Sequence, residues 1–371
     1  MKRFDLSEYR GTKQYFLLFD ILIKDEVYNK DDFLNSIGIA PNTYRRCRAN
    51  EQKKGKELIE ILANHFNLKV PTDRDIDELE DFVNKVYYDI YYKIFDNIEK
   101  YKEKIAYYRD NRFMFYPITN MFDILFYINR KSSARKYQNY FPFEYSEIKK
   151  YASYYNESIY KIFKILYFRL DKDIDENTLI ENDNDGYIYF IMSYRCVEIK
   201  KFIECLYYAE KAKEILIREN NFKRIVYLNF NIMYSLNALK KHQQAFEMAE
   251  KQLLTIQSLS EMDYERRTTQ SHLVVASLGL KKYQYIIDQL TKEVYIPLTQ
   301  AACYLVAKAQ ISMDDYTDYF TNKVSLDLMK KEDADFLSTL NSFITTGDKK
   351  ILNDLYKFDF NHEVINILKK L

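Results

Sequence analysis

Between Pro41 and Lys56 the chain carries six cations, Arg45, Arg46, Arg48, Lys53, Lys54 and Lys56, against one acid, Glu51. The whole chain of 371 residues is nearly neutral, with 56 Lys+Arg and 55 Asp+Glu, so this cluster is a local feature. Its residue types suit a nucleic acid. Cations neutralise phosphates. An Arg guanidinium pairs in bidentate fashion with guanine O6 and N7, and an Asn carboxamide with adenine N6 and N7. Asn42, Arg45, Arg46 and Ala49 recur at helical spacing, which puts them on one face and leaves Tyr44 and Cys47 on another. Asn42, Thr43, Arg45, Arg46, Arg48, Lys53 and Lys54 are therefore the candidate DNA contacts. A small helical unit with a solvated basic face has the same composition.

Other chemistry is sparse. The four histidines, His65, His242, His272 and His362, stand apart, and no zinc-protease, serine-hydrolase or phosphate-loop pattern occurs. The cysteines Cys47, Cys196, Cys205 and Cys303 form no Cys-x-x-Cys, which argues against a zinc site or a disulfide framework. No catalytic residue, metal site or cofactor is expected, and the chain does not read as an enzyme.

The elements that must position the basic face can be read directly. Only six Gly and five Pro occur, too few for most all-β folds or Gly-loop enzymes, so an all-α chain is expected. Tyr15, Phe16, Leu18, Phe19, Leu22 and Ile23 give an apolar helix. Asn29 reads as an N-cap with Asp32 three residues on. A short helix over Lys30–Ile37 breaks at Gly38, and Pro41 suits the first position of the next, which runs to about Ala49. A fourth helix carries Leu58, Ile59, Ile61, Leu62 and Phe66. Phe33, Leu34, Ile37, Ile39, Tyr44 and Cys47 fall where such a helix-turn-helix needs buried residues. The expected divisions are a first domain over 1–70, a helical connector over 71–112 and a repeat domain over 113–371. Residues 113–170 keep helical periodicity, and Asp171–Gly186 reads as an acidic loop.

Three segments share one pattern: Glu198–Phe202, Ala238–His242 and Gly279–Tyr283. Each holds a Lys-Lys pair between two apolar helices, and successive pairs lie 40 and 41 residues apart. This is the signature of repeated helix pairs. Small residues at Cys205, Ala209, Ala212, Ala245 and Ala249 would allow close helix approach. Phe336–Leu355, turning at Gly347, reads as a terminal unit. The repeats resemble tetratricopeptide repeats, although their period exceeds the usual ~34 residues. Aligned through Ala245, that resemblance turns Tyr227, Phe230, Asn231, Tyr234 and Asn237 toward a groove, with Tyr194 from the preceding repeat. Asn carboxamides donate to and accept from a peptide backbone together, and aromatic walls supply apolar area with few rotors. Each aromatic also suits an ordinary packed core.

Residues 12–70 resemble the Xre/Cro-type helix-turn-helix domain, with Leu34 where that family usually has Ala and Asp31 and Asp32 where phosphate contact is usual. The order of the two regions is similar to the RRNPP family of peptide-pheromone receptors. That resemblance implies a cytoplasmic transcription regulator, a homodimer on double-stranded DNA, controlled by a short signalling peptide in the solenoid groove. Asp75–Asp110 and the C-terminal repeats are the candidate dimer interfaces. No membrane partner is expected: the apolar run Tyr15–Phe19 is too short for a signal peptide or a span. The alternative is a tetratricopeptide-like adaptor that binds proteins and no DNA.

Overall fold

The computed structural model describes residues 4–26, 29–49, 54–94, 96–115, 118–119, 151–154, 185–257, 259, 261–290, 298–311 and 331–358. Among them the fold is all-α, with fifteen α-helices and no strand. No helix among them is long and apolar enough to cross a membrane. The chain divides into two compact units, Met1–Ile191 and Met192–Leu371.

In the first unit, α1 spans Lys13–Glu26, α2 Lys30–Ser36, α3 Pro41–Ala49 and α4 Lys54–His65. Asn29 caps α2 by accepting from the N–H groups of Asp31 and Asp32 at 3.0 and 3.4 Å. The chain leaves α2 through Gly38, at φ +77°, where a side chain would be strained. Ile39 N–H then closes the helix end onto Leu34 O at 2.8 Å. Phe33, Leu34, Ile39, Tyr44 and Cys47 are buried together with Phe16 and Phe19 of α1 and Leu58 and Leu62 of α4. Ile37 is half-buried at the edge. The Phe16 and Tyr44 rings meet edge to face at 5.2 Å.

The connector forms two helices, α5 over Asp73–Tyr92 and α6 over Ile98–Asp110. Thr72 and Asp75 form a capping box at the start of α5, and Lys93, at φ +54°, ends it. The divisions expected at residues 70 and 112 fall inside the first unit. Phe4 N–H donates to Asn84 Oδ1 of α5 at 2.8 Å, and Leu6 N–H to Glu80 Oε2 at 2.9 Å. Tyr9 donates to the Tyr154 carbonyl at 3.1 Å, and Lys69 pairs with Phe113 in an isolated parallel bridge. Most of the helices expected over 113–170, and the acidic loop expected over Asp171–Gly186 as far as residue 184, lie outside the described residues, while Gly186 opens a helix.

The second unit shows why Lys-Lys recurs. Gly186–Glu198 forms α7, of which the residues from Met192 on belong to this unit, and Phe202–Arg218 forms α8, Phe222–Ala238 α9, His242–Ile256 α10, Asp263–Gly279 α11, Tyr283–Leu290 α12 and Leu298–Gln310 α13. At the ends of α7, α9 and α11 the first lysine of each pair is left-handed: φ is +62° at Lys200, +60° at Lys240 and +60° at Lys281. The N–H of the second lysine closes onto a carbonyl five residues back, Cys196, Leu236 or Ser277, at 2.8, 2.8 and 2.9 Å. Each pair is thus a Schellman helix end with lysine where glycine is usual. Asn220 and Asn221 repeat the device between α8 and α9, with φ +55° at Asn220 and a 2.9 Å bond from Asn221 N–H to Leu216 O.

The small residues Cys205, Ala209, Ala212, Ala245 and Ala249 are fully buried. In the third pair Ile286 and Leu290 fill the matching places. α9 packs on α8, α10 and α11, and α11 in turn on α10, α12 and α13. Lys331–Thr346 (α14) and Lys349–Leu355 (α15) form the terminal pair, which turns at Gly347, φ +65°.

Candidate functional site

The helix α3 presents the sequence-predicted face to solvent. Asn42, Arg45, Arg46 and Arg48 are exposed, Thr43 is half-buried, and Tyr44 and Cys47 point inward. Lys54 is exposed at the described start of α4, and Lys53 lies outside the described residues. Position follows from sequence here because α3 is short and amphipathic, so one stripe is buried and the rest must face water.

A carboxylate in α1 fixes the angle at which α3 is held. Asp20 accepts from the Tyr44 hydroxyl at 2.9 Å, pairs with Arg48 Nε at 2.7 Å, and takes the Lys30 ammonium at the start of α2. Lys30 also stands over the Tyr44 ring at 4.4 Å. Burial, with the Asp20 charge added, pushes the Tyr44 hydroxyl well above the usual tyrosine range, so it stays a proton donor to Asp20. Asp20 thus ties three helices through one side chain. In the sequence it shows only as a charge interrupting an apolar run.

The cations are not equivalent. Arg45 is bound on both sides, to Asp31 Oδ2 at 2.6 Å and to Asn42 Oδ1 at 3.0 Å. Arg48 is committed to Asp20. Arg46 has no ion-pair partner among the described residues. Asp31 therefore does more than repel a phosphate: it neutralises the cation that would replace its own charge. The Arg45 and Asp31 side chains are 59% and 48% exposed, so their pair is screened and readily exchanged for another anion.

In the second unit the six residues proposed for the groove separate into two groups. Tyr194, Tyr227, Phe230 and Tyr234 are half-buried. Phe230 stacks on His272 of α11 at 5.9 Å, and Tyr227 on Tyr264 at 6.2 Å. Tyr264 and His272 were not expected from the sequence. They stand 37 and 42 residues beyond Tyr227 and Phe230, close to the repeat length, and that is the signal that could have found them. Burial holds the His272 imidazole down to about 4, so the ring in this stack is neutral.

Asn231 and Asn237 are a different case. They are 7% and 2% exposed. Asn231 Nδ2 donates to Ser193 Oγ at 2.9 Å. Asn237 Nδ2 reaches the His272 carbonyl at 3.4 Å, and its Oδ1 faces His242 Nδ1 at 3.2 Å. Both amides serve as ties between helices, in place of the exposed peptide contacts expected. The poor helix propensity of asparagine is offset here by bonds that an apolar residue could not make. Gly279 belongs to the same arrangement: a Cβ there would lie 2.4 Å from Cγ of the His242 ring.

All four cysteines are free and buried, and no His, Cys, Asp and Glu cluster among the described residues could hold a metal ion. Burial pushes the Cys205 thiol up to about 11, which leaves it unreactive at neutral pH. No protein-family profile, no curated protein and no solved structure matches the chain.

Proposed function

We propose that the protein is a DNA-binding transcription regulator whose repeat region binds a short signalling peptide. One observation carries the DNA reading. A short helix, a tight glycine turn and a second helix hold Asn42, Arg45 and Arg46 outward over a closed core, with Asp20 setting the angle. That is the geometry a major groove demands of a reading helix. The pairing of Arg45 with Asp31 fits a surface that exchanges an internal anion for phosphate or base acceptors. A two-fold operator and a homodimer follow from the short half-site a single reading helix covers. The peptide would lie against Tyr227, Phe230 and Tyr234, with Tyr264 and His272 completing the wall. A cytoplasmic location accords with this role.

The test begins by selecting bound duplexes from random-sequence DNA with the purified chain. Arg45→Ala with Arg46→Ala should abolish binding to the selected duplex while helical circular dichroism stays unchanged. Each good bidentate contact gives ~1–3 kcal/mol of discrimination. Unchanged affinity in the double variant would overturn the reading. Sedimentation of a concentration-independent monomer would remove the dimer.

A further inference from the structure

The outer face of α8 departs from its own repeat. Forty residues after Ile203 and Tyr207, α10 carries Gln243 and Glu247; a further 41 residues on, α12 carries Gln284 and Asp288. In both later helices the amide donates to the acid one turn on, at 2.7 and 2.8 Å, as suits a face turned to water. On α8 the matching places hold isoleucine and tyrosine, 71% and 58% exposed. Ile217 on the same face is 56% exposed, and Ile199, just before the helix, is exposed as well.

At about 100° per residue, Ile203, Tyr207, Glu210, Glu214 and Ile217 fall within about 80° of one another, a stripe along the length of α8. The helix packs on α9 by its other side, where Cys205, Ala209 and Ala212 are buried. Its charges are sorted along the axis. Lys200 stands at its start, and Glu210 and Glu214 lie on its second half. Glu204 and Lys211 flank the stripe on one side, about two turns apart. None of these five has an ion-pair partner among the described residues. A face whose charge reverses along its length is complementary to itself turned end for end.

We infer that this stripe is a contact with a second copy of the chain, in which two α8 helices pack antiparallel about a two-fold axis beside Tyr207. In that register Tyr207 meets Tyr207 of the second copy and Ile199 meets Ile217. Glu204 stands opposite Lys211, and Lys200 beside Glu214, each pair occurring twice. Parallel pairing would instead set Glu210 and Glu214 against their own copies. Apolar cover supplies most of the attraction, while the exposed ion pairs fix the register. One helix face is a small interface, so the dimer dissociates at roughly micromolar concentration. This contact gives the homodimer proposed above its surface, and so rests on that reading.

The experiment follows the full chain by sedimentation velocity from about 1 to 100 μM. The wild type should pass from monomer to dimer. Ile203→Asp, at an exposed site, should weaken association at least tenfold with helical circular dichroism unchanged. Lys211→Glu should weaken it several-fold, and Glu204→Lys added to it should restore it, because these two residues meet only across the axis. Tyr207→Cys should cross-link two chains on mild oxidation and Ile217→Cys should not; the four native cysteines are buried. A wild type that stays monomeric throughout overturns both the contact and the homodimer. A dimeric wild type overturns the contact alone if Ile203→Asp associates as strongly, if the double variant is no better than Lys211→Glu, or if Tyr207→Cys fails to cross-link.

Discussion

On α3, Asn42, Arg45 and Arg46 stand in water; on α9, Asn231, Asn237 and even Arg224 are buried. The residue types are the same, Asn and Arg on an α-helix. What differs is how much of each helix is covered. α3 buries only Tyr44 and Cys47, one narrow stripe. α9 packs against α8, α10 and α11, and buries Leu228, Asn231, Met233, Ser235 and Asn237, which lie around more of its circumference. A polar residue on a helix packed from one side is free to meet a partner. A polar residue on a helix packed from several sides must find its partner inside the protein.

The contrast can be broken most sharply by Asn237→Leu. It removes the donor to the His272 carbonyl and the acceptor beside His242, and sets an apolar side chain against both. We expect a loss of ~1–3 kcal/mol in urea unfolding, from the two lost bonds. The matching change on α3, Arg46→Ala, should shift stability by less than ~0.5 kcal/mol. Equal, small effects at the two sites would remove the distinction between scaffold and surface.

Acid should weaken the second unit through His272. Its ring is held neutral down to about 4, against an ordinary value of 6.5. Between those limits the unfolded chain takes up a proton that the folded one refuses. Stability is therefore full above 6.5 and falls as pH drops toward 4, by up to ~1.4 kcal/mol per pH unit. Thermal unfolding across that window should show the loss, and His272→Gln should flatten it. A variant with the same acid slope as the wild type would exclude His272 as its source.

An effect of the opposite sign is expected at a helix end. Lys240 sits at φ +60° for want of a glycine. Lys240→Gly relieves a left-handed side chain at some cost in unfolded-chain entropy, so a gain of about 0.5–1 kcal/mol is expected in the unfolding midpoint. A destabilised variant would show that the Lys240 side chain makes contacts that outweigh its backbone strain.

The legible parts of the sequence were those governed by local rules. The limits of α2 and α3, the turn at Gly38, the cap at Asn29 and the terminal turn at Gly347 follow from residues within a few positions of one another. The Lys-Lys repeat marked real turns because a Schellman helix end is also local. The parts that stayed hidden depend on residues far apart in the chain. Asp20 meets Arg48 only after α1 and α3 have packed. Asn231 looks like a ligand-binding amide until Ser193, 38 residues earlier, is brought beside it. The basic cluster was legible as a cluster, yet its pairing was not: Asp31 and Asp20 neutralise two of its arginines, and Arg46 keeps its charge unpaired among the described residues.

If the exposed face of α3 meets DNA as proposed, Arg46 is ready for it and Arg45 is held by Asp31. Fluorescence anisotropy on a selected duplex, titrated across salt concentration, tests it directly with Arg46→Ala and Asp31→Asn. Wild-type affinity should fall steeply as salt rises. Arg46→Ala should weaken binding tenfold or more, and Asp31→Asn, by releasing Arg45 and removing a negative charge, should tighten it several-fold. Binding indifferent to salt, or two variants that behave as the wild type does, would show that this face of α3 does not meet DNA.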